Sequence, residues 1–484
     1  MSYKQGEDRN QLMLSPMCLD DFIPAQSICR VIMAFVNSLD MGALGFKYSE
    51  TKGNGRPPYS PATMLMLYIY GYLNRIRSSR RLEVETQRNV EVMWLMEKLT
   101  SDDKTISNFR KDNAKALKKV FRQFSLWCNE QGLYGKELVA VDGSKFRANA
   151  NRKSIYTEKN TQAKLAEVEK KISEYMNELE RNDAKETEEP NLNRERIETA
   201  LNYLSEKKEN LKSWLAKIDE NDGKEISVVD PDARLMQTNG DGRNLDACYN
   251  VQSVVDSKHG LIVDFDVSTC ADEKGALATM TESAKEIMGV TEISATGDRG
   301  YYDGDDIEKC EQNGTTCYIP KMQTGRSVPD EGYVLKGFKY IADTDEYTCP
   351  QGQVLIYNGN KKRKDGKTNR IYKNVIVCKN CPSREKCTKS KYGREITRSP
   401  YQDTLDIIDN RMATAQGREI IRKRSSIAEH PFGTTKAIWG FKQFLSRGQE
   451  STTGEISLVF LAFNMKRVFN ILAQKNKSMV AIMT

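Results

Sequence analysis

The sequence predicts a mixed α/β fold with helical additions, and three observations carry that reading. Leu138-Val139-Ala140-Val141 is a short unbroken apolar run that ends on an acid, which suits a strand buried on both faces. Strand and helix signals alternate from Ala247 to Pro320 after an antiparallel opening, the pattern of a mixed sheet carrying helices. Helix-period segments flank that stretch and also interrupt it. At 484 residues the chain exceeds one hydrophobic core, and about 150 residues per domain gives roughly three units.

Residues 1–130 read as a helical domain. Ser60-Pro61 opens an apolar helix, Met64 to Leu73, with Pro61 suited to its first turn. A basic cluster follows: Arg75, Arg77, Arg80 and Arg81. A second helix is predicted over 83–99, and Ser101-Asp102-Asp103 can cap a third through Arg110. Short helices with a basic edge fit a helix-turn-helix-like DNA-binding unit whose four arginines meet phosphates. An ordinary helical domain with solvated arginines fits the same pattern.

Residues 131–154 begin the core with the strand ending at Asp142. In 155–222, Leu165, Val168, Ile172, Tyr175 and Leu179 form one heptad stripe. Ile197, Leu201, Leu204, Leu211, Leu215 and Ile218 form another, with Lys208 in the missing position. They predict a helical hairpin with a polar tip from Asp183 to Asn193 containing Pro190, an arm whose charges are solvated. Residues 223–321 continue the core. A β-hairpin is predicted from Ala247–Val255 and Leu261–Val267, then a helix at 273–288, a strand at 292–298, a short helix at 303–312 and a strand at 317–320. Residues 322–400 interrupt it with a segment rich in Gly, Lys and Tyr that holds four cysteines. Residues 401–484 complete the core, with helix from about Asp409, a basic helix from Arg418 to Ala428 and an apolar helix from Ile456 to Leu472.

Composition narrows the function. Apolar residues make up 38% and charged residues 29%, which describes a soluble globular chain, and the net charge of +7 is compatible with a polyanionic partner. No stretch is expected to supply the roughly 18–20 apolar residues of a membrane span. Met1 to Asn10 is polar and does not read as a signal peptide, so the cytoplasm is the expected compartment. The eleven cysteines then read as thiols or metal ligands and not as a disulfide framework. Cys378-Lys379-Asn380-Cys381 with Cys349 and Cys387 fits a structural zinc site; reduced thiols or an iron–sulfur cluster fit the same count. No Gly-rich phosphate loop points to nucleotide hydrolysis. Neither His259, in a hairpin turn, nor His430, facing away from its neighbour Glu429, suits catalysis. Trp439 is expected in the core, with stacking on an unpaired base as the alternative.

Acids placed at the ends of buried elements remain. Asp142 follows the first strand, Asp298 ends the strand at 292–297, and Glu429 lies among Arg418, Arg422, Lys423, Arg424 and Lys436. Each alone reads as a turn or a cap. Together they suit a site for divalent metal and phosphate, because in-line phosphodiester chemistry needs charge on both the attacking and the leaving oxygen, and magnesium is held by a few carboxylates.

Val141-Asp142-Gly143-Ser144, Gly297-Asp298-Arg299-Gly300-Tyr301 and Glu429-His430-Pro431-Phe432-Gly433 resemble, in order and broad spacing, the three catalytic blocks of bacterial insertion-sequence DDE transposases. The resemblance extends over nearly the whole chain. It implies an RNase H-like core, with Asp142 and Asp298 on adjacent central strands, Glu429 on a helix, and Mg2+ (or Mn2+) bound by the three acids. It implies cleavage and strand transfer on double-stranded DNA, at terminal inverted repeats and target, by a homodimer on DNA in the cytoplasm and nucleoid. A nuclease that cuts without joining, and a transposase-derived repressor without catalysis, are the alternatives. Many relatives carry Tyr, Arg, Glu and Lys at fixed spacing on the glutamate helix. Here Lys436 keeps its place, Ser425 stands at the arginine position beside Arg424, and Ile421 at the tyrosine position. Arg424 and Lys436 are the expected phosphate ligands. Pro431 and Gly433 predict a break between Glu429 and Lys436.

Overall fold

The computed structural model describes residues 18–50, 57–183, 192–220, 225–238, 245–321, 333–363 and 366–483. The N-terminal ten residues, the arm tip at 184–191 and the start of the cysteine segment at 322–332 lie outside the described residues.

Among the described residues, seven α-helices come first: α1 (Ile28–Asn37), α2 (Met41–Leu44), α3 (Pro61–Leu73), α4 (Ser79–Arg88), α5 (Val90–Leu95), α6 (Asp103–Asp112) and α7 (Ala114–Glu130). α3 is buried on every side from Met64 to Tyr72, as an apolar helix without a polar face must be. The single helix expected over 83–99 is instead two. Asn89 ends α4, and its side chain accepts from the Glu91 (3.0 Å) and Val92 (3.4 Å) amides to start α5. Asp102 caps α6 by accepting from the Thr105 amide at 2.8 Å.

The middle of the chain holds β1 (Leu138–Arg147), β2 (Ile155–Tyr156), α8 (Glu158–Asp183), α9 (Leu192–Glu220), β3 (Ile226–Ser227), β4 (Arg234–Gln237), β5 (Leu245–Asp256), β6 (Ile262–Ser268), α10 (Ala276–Met288), β7 (Ile293–Thr296), α11 (Gly304–Gln312) and β8 (Thr315–Tyr318). β1 is central in a six-stranded sheet. β5 runs antiparallel on one side of it, with β4 and β6 both paired to the outer edge of β5. β7 and then β8 run parallel on the other side. α8 and α9 form the arm, closed by Val168, Leu204 and Leu211. Lys208, the odd residue in the second stripe, pairs with Glu169 at 3.0 Å.

The cysteine segment is a sheet of its own, which its composition had not predicted. β9 (Lys339–Ile341), β10 (Glu346–Thr348), β11 (Val354–Lys362) and β12 (Thr368–Lys373) are followed by α12 (Val375–Lys379), α13 (Arg384–Cys387) and β13 (Glu395–Arg398). All its pairings are antiparallel. Its core is Phe338, Tyr347, Leu355, Tyr372 and Ile396, separate from the main core.

α14 (Gln402–Ala413), α15 (Ala415–Phe432), α16 (Gln449–Gln474) and α17 (Met479–Met483) complete the chain. The break expected near Pro431 does not occur. α15 runs through Pro431 and widens into a π-helical turn at Gly433–Ile438. The Thr435 hydroxyl donates to the Pro431 carbonyl at 2.8 Å, and the Trp439 amide reaches Thr434 at 2.9 Å, so the backbone stays satisfied beyond the proline. A second expectation is also corrected. α16 is long and apolar enough to cross a membrane by length and composition, and 67% of its most apolar window is buried inside the protein. It packs on α3, α6, α7 and β6, and Asn464 bonds the Ile262 amide (2.9 Å) and carbonyl (2.7 Å), so it is a core helix.

Candidate active site

Strand register brings the first two acids together. β1 pairs with β7 through Leu138 with Ser294, Val139 with Ala295 and Ala140 with Thr296. Two residues past the last pair come Asp142, still in β1, and Asp298, just beyond the end of β7, on neighbouring chain segments whose strands are spaced roughly 4.8 Å apart. Asp298 leaves the strand and turns back on itself, accepting from the Gly300 amide at 2.7 Å.

α15 brings the third. It packs across β1, β5, β7 and β8, and the ring of Phe432 at its end meets Phe146 of β1 at 6.0 Å. By the pleat, Phe146 shares the face of Asp142. Glu429 is half-exposed, and Arg424 reaches it at 3.1 Å. Burial pushes the Asp142 carboxyl up to about 6. The Arg424 charge opposes that shift, and Asp298 and Glu429 reinforce it. The three acids therefore share one electrostatic neighbourhood, with Arg424 as the nearby cation. Lys436 is turned into β1, donating to the Ser144 hydroxyl and the Lys145 carbonyl at 2.6 Å each. Burial lowers its amine to about 8.

A fourth acid was missed. Glu273, just before α10, lies on the opposite face of β1. A Cβ at Gly143 would stand 2.8 Å from one Glu273 oxygen, and a Cβ at Gly300 would stand 2.2 Å from the other. The glycines that follow Asp142 and Asp298 thus leave the space its carboxyl fills. Burial raises Glu273 to about 7, helped by the charges of Asp298 and Asp142 and a hydrogen bond with Asp298. In sequence it resembles any acid at a helix start; the nearest available signal was the glycine one or two residues after each motif acid, Gly143 and Gly300. Among the described residues, no three carboxylate, histidine or cysteine side chains close on one point at chelating distance.

A family model described as a transposase DDE domain matches residues 348–469, and one described as a transposase domain (DUF772) matches residues 17–112. Together these matches support an insertion-sequence DDE transposase. The first match includes Glu429 and its helix, the second spans α1 to α6, and Asp142 and Asp298 lie between them. No curated protein matches. Among solved structures, a piggyBac transposase synaptic complex with hairpin DNA is similar at 8% identity, with 94% of this chain and 78% of that one covered at a TM-score of 0.32.

The four arginines of the N-terminal cluster do not share one edge in this transposase. Arg75, Arg80 and Arg81 are exposed. Arg77 points inward, 4.2 Å over the Phe441 ring and 3.4 Å from the fully buried Glu455 of α16. Near the acids, sequence reasoning overlooked a groove of about 440 Å³ beside the end of β1. Among the described residues, Lys145, Arg147, Arg152, Lys436 and Lys442 line it against one acid, Asp246. These cations are scattered over some 300 residues, so no local run announces them.

The structure brings Cys349, Cys378, Cys381 and Cys387 around one narrow cavity beside the insertion's small core. Burial raises the Cys387 thiol, Arg394 opposes the shift, and the other three cysteines add to it.

Proposed function

We propose that this transposase cuts and joins DNA at the ends of an insertion sequence, with Asp142, Asp298 and Glu429 as the metal-binding acids. The observation that carries the reading is the β1–β7 register, which sets Asp142 and Asp298 side by side beneath the helix of Glu429. The order β6-β5-β1-β7-β8, antiparallel then parallel, supports the RNase H-like core implied by the sequence blocks.

The residues fit the implied metal chemically. They are hard oxygen donors, and burial and mutual repulsion hold Asp142 well above its ordinary value, a deficit of positive charge at this spot. A divalent pair held by Asp142, Asp298 and Glu429, Mg2+ or Mn2+, would supply activation of the attacking oxygen and stabilisation of the leaving one. Glu273 keeps a proton against Asp298 and positions it. Arg424 and the cations of the groove hold the DNA phosphates. Water cleaves a phosphodiester at the element end and leaves a 3′-hydroxyl. That hydroxyl attacks a target phosphodiester and displaces its 3′-oxygen, so one bond forms as one breaks and no nucleotide is consumed. The exposed Arg75, Arg80 and Arg81 dock the terminal repeats, and two chains hold two ends, in the cytoplasm on the nucleoid.

The test is incubation of the full chain with labelled duplex carrying the element's flanking ends, magnesium and a target plasmid. Nicked ends and joined products are expected. Nicking without joining would make the protein a nuclease, and tight end binding without nicking would make it a repressor.

A further inference from the structure

The cysteine insertion holds a second ligand set, unlike the carboxylates in chemistry and remote from them in sequence. Cys349 sits in the turn between β10 and β11, where its carbonyl accepts from the Gly352 amide at 2.9 Å. Cys378 lies in α12, Cys381 in the turn after it, and Cys387 ends α13. Phe338, the four cysteines and Arg394 border a cavity of about 20 Å³. Gly393, at a φ of +86°, is pressed so closely on Cys378 that a Cβ there would lie 2.4 Å from the cysteine's own. The Arg394 Nε is buried without a hydrogen-bond partner, although its Nη1 reaches the Cys387 carbonyl at 3.5 Å.

We propose that Cys349, Cys378, Cys381 and Cys387 bind one structural zinc ion that closes the β9–β13 insertion, with the Arg394 guanidinium donating to a ligand sulfur. Four thiolates, two from turns and two from short helices, are the donor set of a closed tetrahedral zinc site. Four thiolates around one divalent ion leave a net negative charge, which a buried, unsatisfied guanidinium N–H compensates. The need for it is plain from the core: among the described residues, five buried apolar side chains are few for a unit of this length, and small units are commonly closed by a metal. Zinc would draw the thiols inward to bonding distance.

The experiment measures metal in the full chain purified under reducing conditions without chelator, by elemental analysis. About one zinc per chain is expected. Cys378→Ser and Cys387→Ser should lose most of it, while Cys270→Ser, at an exposed cysteine elsewhere, and Asp142→Ala, in the catalytic site, should keep it. Arg394→Gln should weaken zinc affinity on the order of 10–100-fold, read by competition with a chromophoric chelator, and still fill at high zinc. Should the cysteine variants fail to fold, cobalt substitution in the unaltered chain decides: intense thiolate-to-cobalt charge transfer with tetrahedral visible bands supports the site. Reduced protein that takes up neither zinc nor cobalt, zinc lost with Asp142→Ala, iron with acid-labile sulfide, or disulfides among these four cysteines would each overturn it.

Discussion

Around β1 the transposase buries Val139, Ala140, Val141 and Phe146 completely, within a core that runs continuously from α1 to α17. In the β9–β13 insertion the separate core has five buried side chains among the described residues. The two regions gather potential ligands under opposite conditions. The central sheet has stability to spare, and it sets Asp142 and Glu273 where burial and repulsion raise both of them. The insertion has little, and its thiols border the very core they would help to close. Hard oxygen ligands lie where structure is already secured, for chemistry; soft sulfur ligands lie where structure is scarce.

The largest expected effect follows from that contrast. Asp142→Ala or Asp298→Ala should remove DNA cleavage altogether and leave the melting temperature unchanged or higher. Cys387→Ser should do the reverse to its own region, opening the insertion to limited proteolysis between β9 and β13 while the central core stays resistant. Acid variants that unfold the core, or a cysteine variant as protease-resistant as the parent, would break the comparison.

Arg77→Gln comes next. It strips one of two cations from Glu455, which is fully buried and keeps Arg110 at 3.9 Å, and removes the cation over the Phe441 ring, and should cost up to about 3 kcal/mol in urea denaturation. A cost near zero would mean that Arg110 and the Leu445 and Ser446 amides, which donate to Glu455, are sufficient partners.

Much of the site was legible from the order of the residues. An apolar run that ends on an acid, as at Val139-Ala140-Val141-Asp142, reports a buried strand with a carboxylate at its exit, and register then needs only the second such strand. Arg77 was not legible, because four arginines in seven residues look alike. Arg75 adopts a positive φ of 62°, and the turn it makes sends Arg77 inward and leaves Arg80 and Arg81 outside. Glu273 was hidden for a different reason: its partners are 131 and 25 residues away, at Asp142 and Asp298, and only folding places them together. The insertion's strands escaped notice because β11 is mostly exposed, and of its opening run Val354-Leu355-Ile356-Tyr357 only Leu355 is buried.

Glu273→Gln sharpens the account of the core at a smaller scale. In metal-free protein its folded value, near 7, exceeds its ordinary 4.5, so ionisation penalises the folded state as pH rises from about 4.5 to about 7. The glutamine variant should therefore melt with the parent at pH values below that window and above the parent once pH passes it. An advantage that is constant with pH would point to packing and not charge. The smallest effect belongs to Arg80→Gln and Arg81→Gln. Each should lower the magnitude of the log–log salt slope of DNA binding by roughly one with stability unchanged. A slope that does not move would make them a solvated face and shift attention to the groove of Lys145, Arg147, Arg152 and Lys442.

The most direct test of the central claim exchanges the ligand atom itself. Asp142→Cys and Asp298→Cys replace a hard oxygen with a softer sulfur at the positions set side by side by the β1–β7 register, and end cleavage is measured with magnesium and then with manganese, which tolerates sulfur better. The account predicts that both variants are inactive with magnesium and regain cleavage with manganese, while the parent is active with either. Cysteine variants that cut normally with magnesium would contradict it, because Asp142 and Asp298 would then not be the residues that hold the metal.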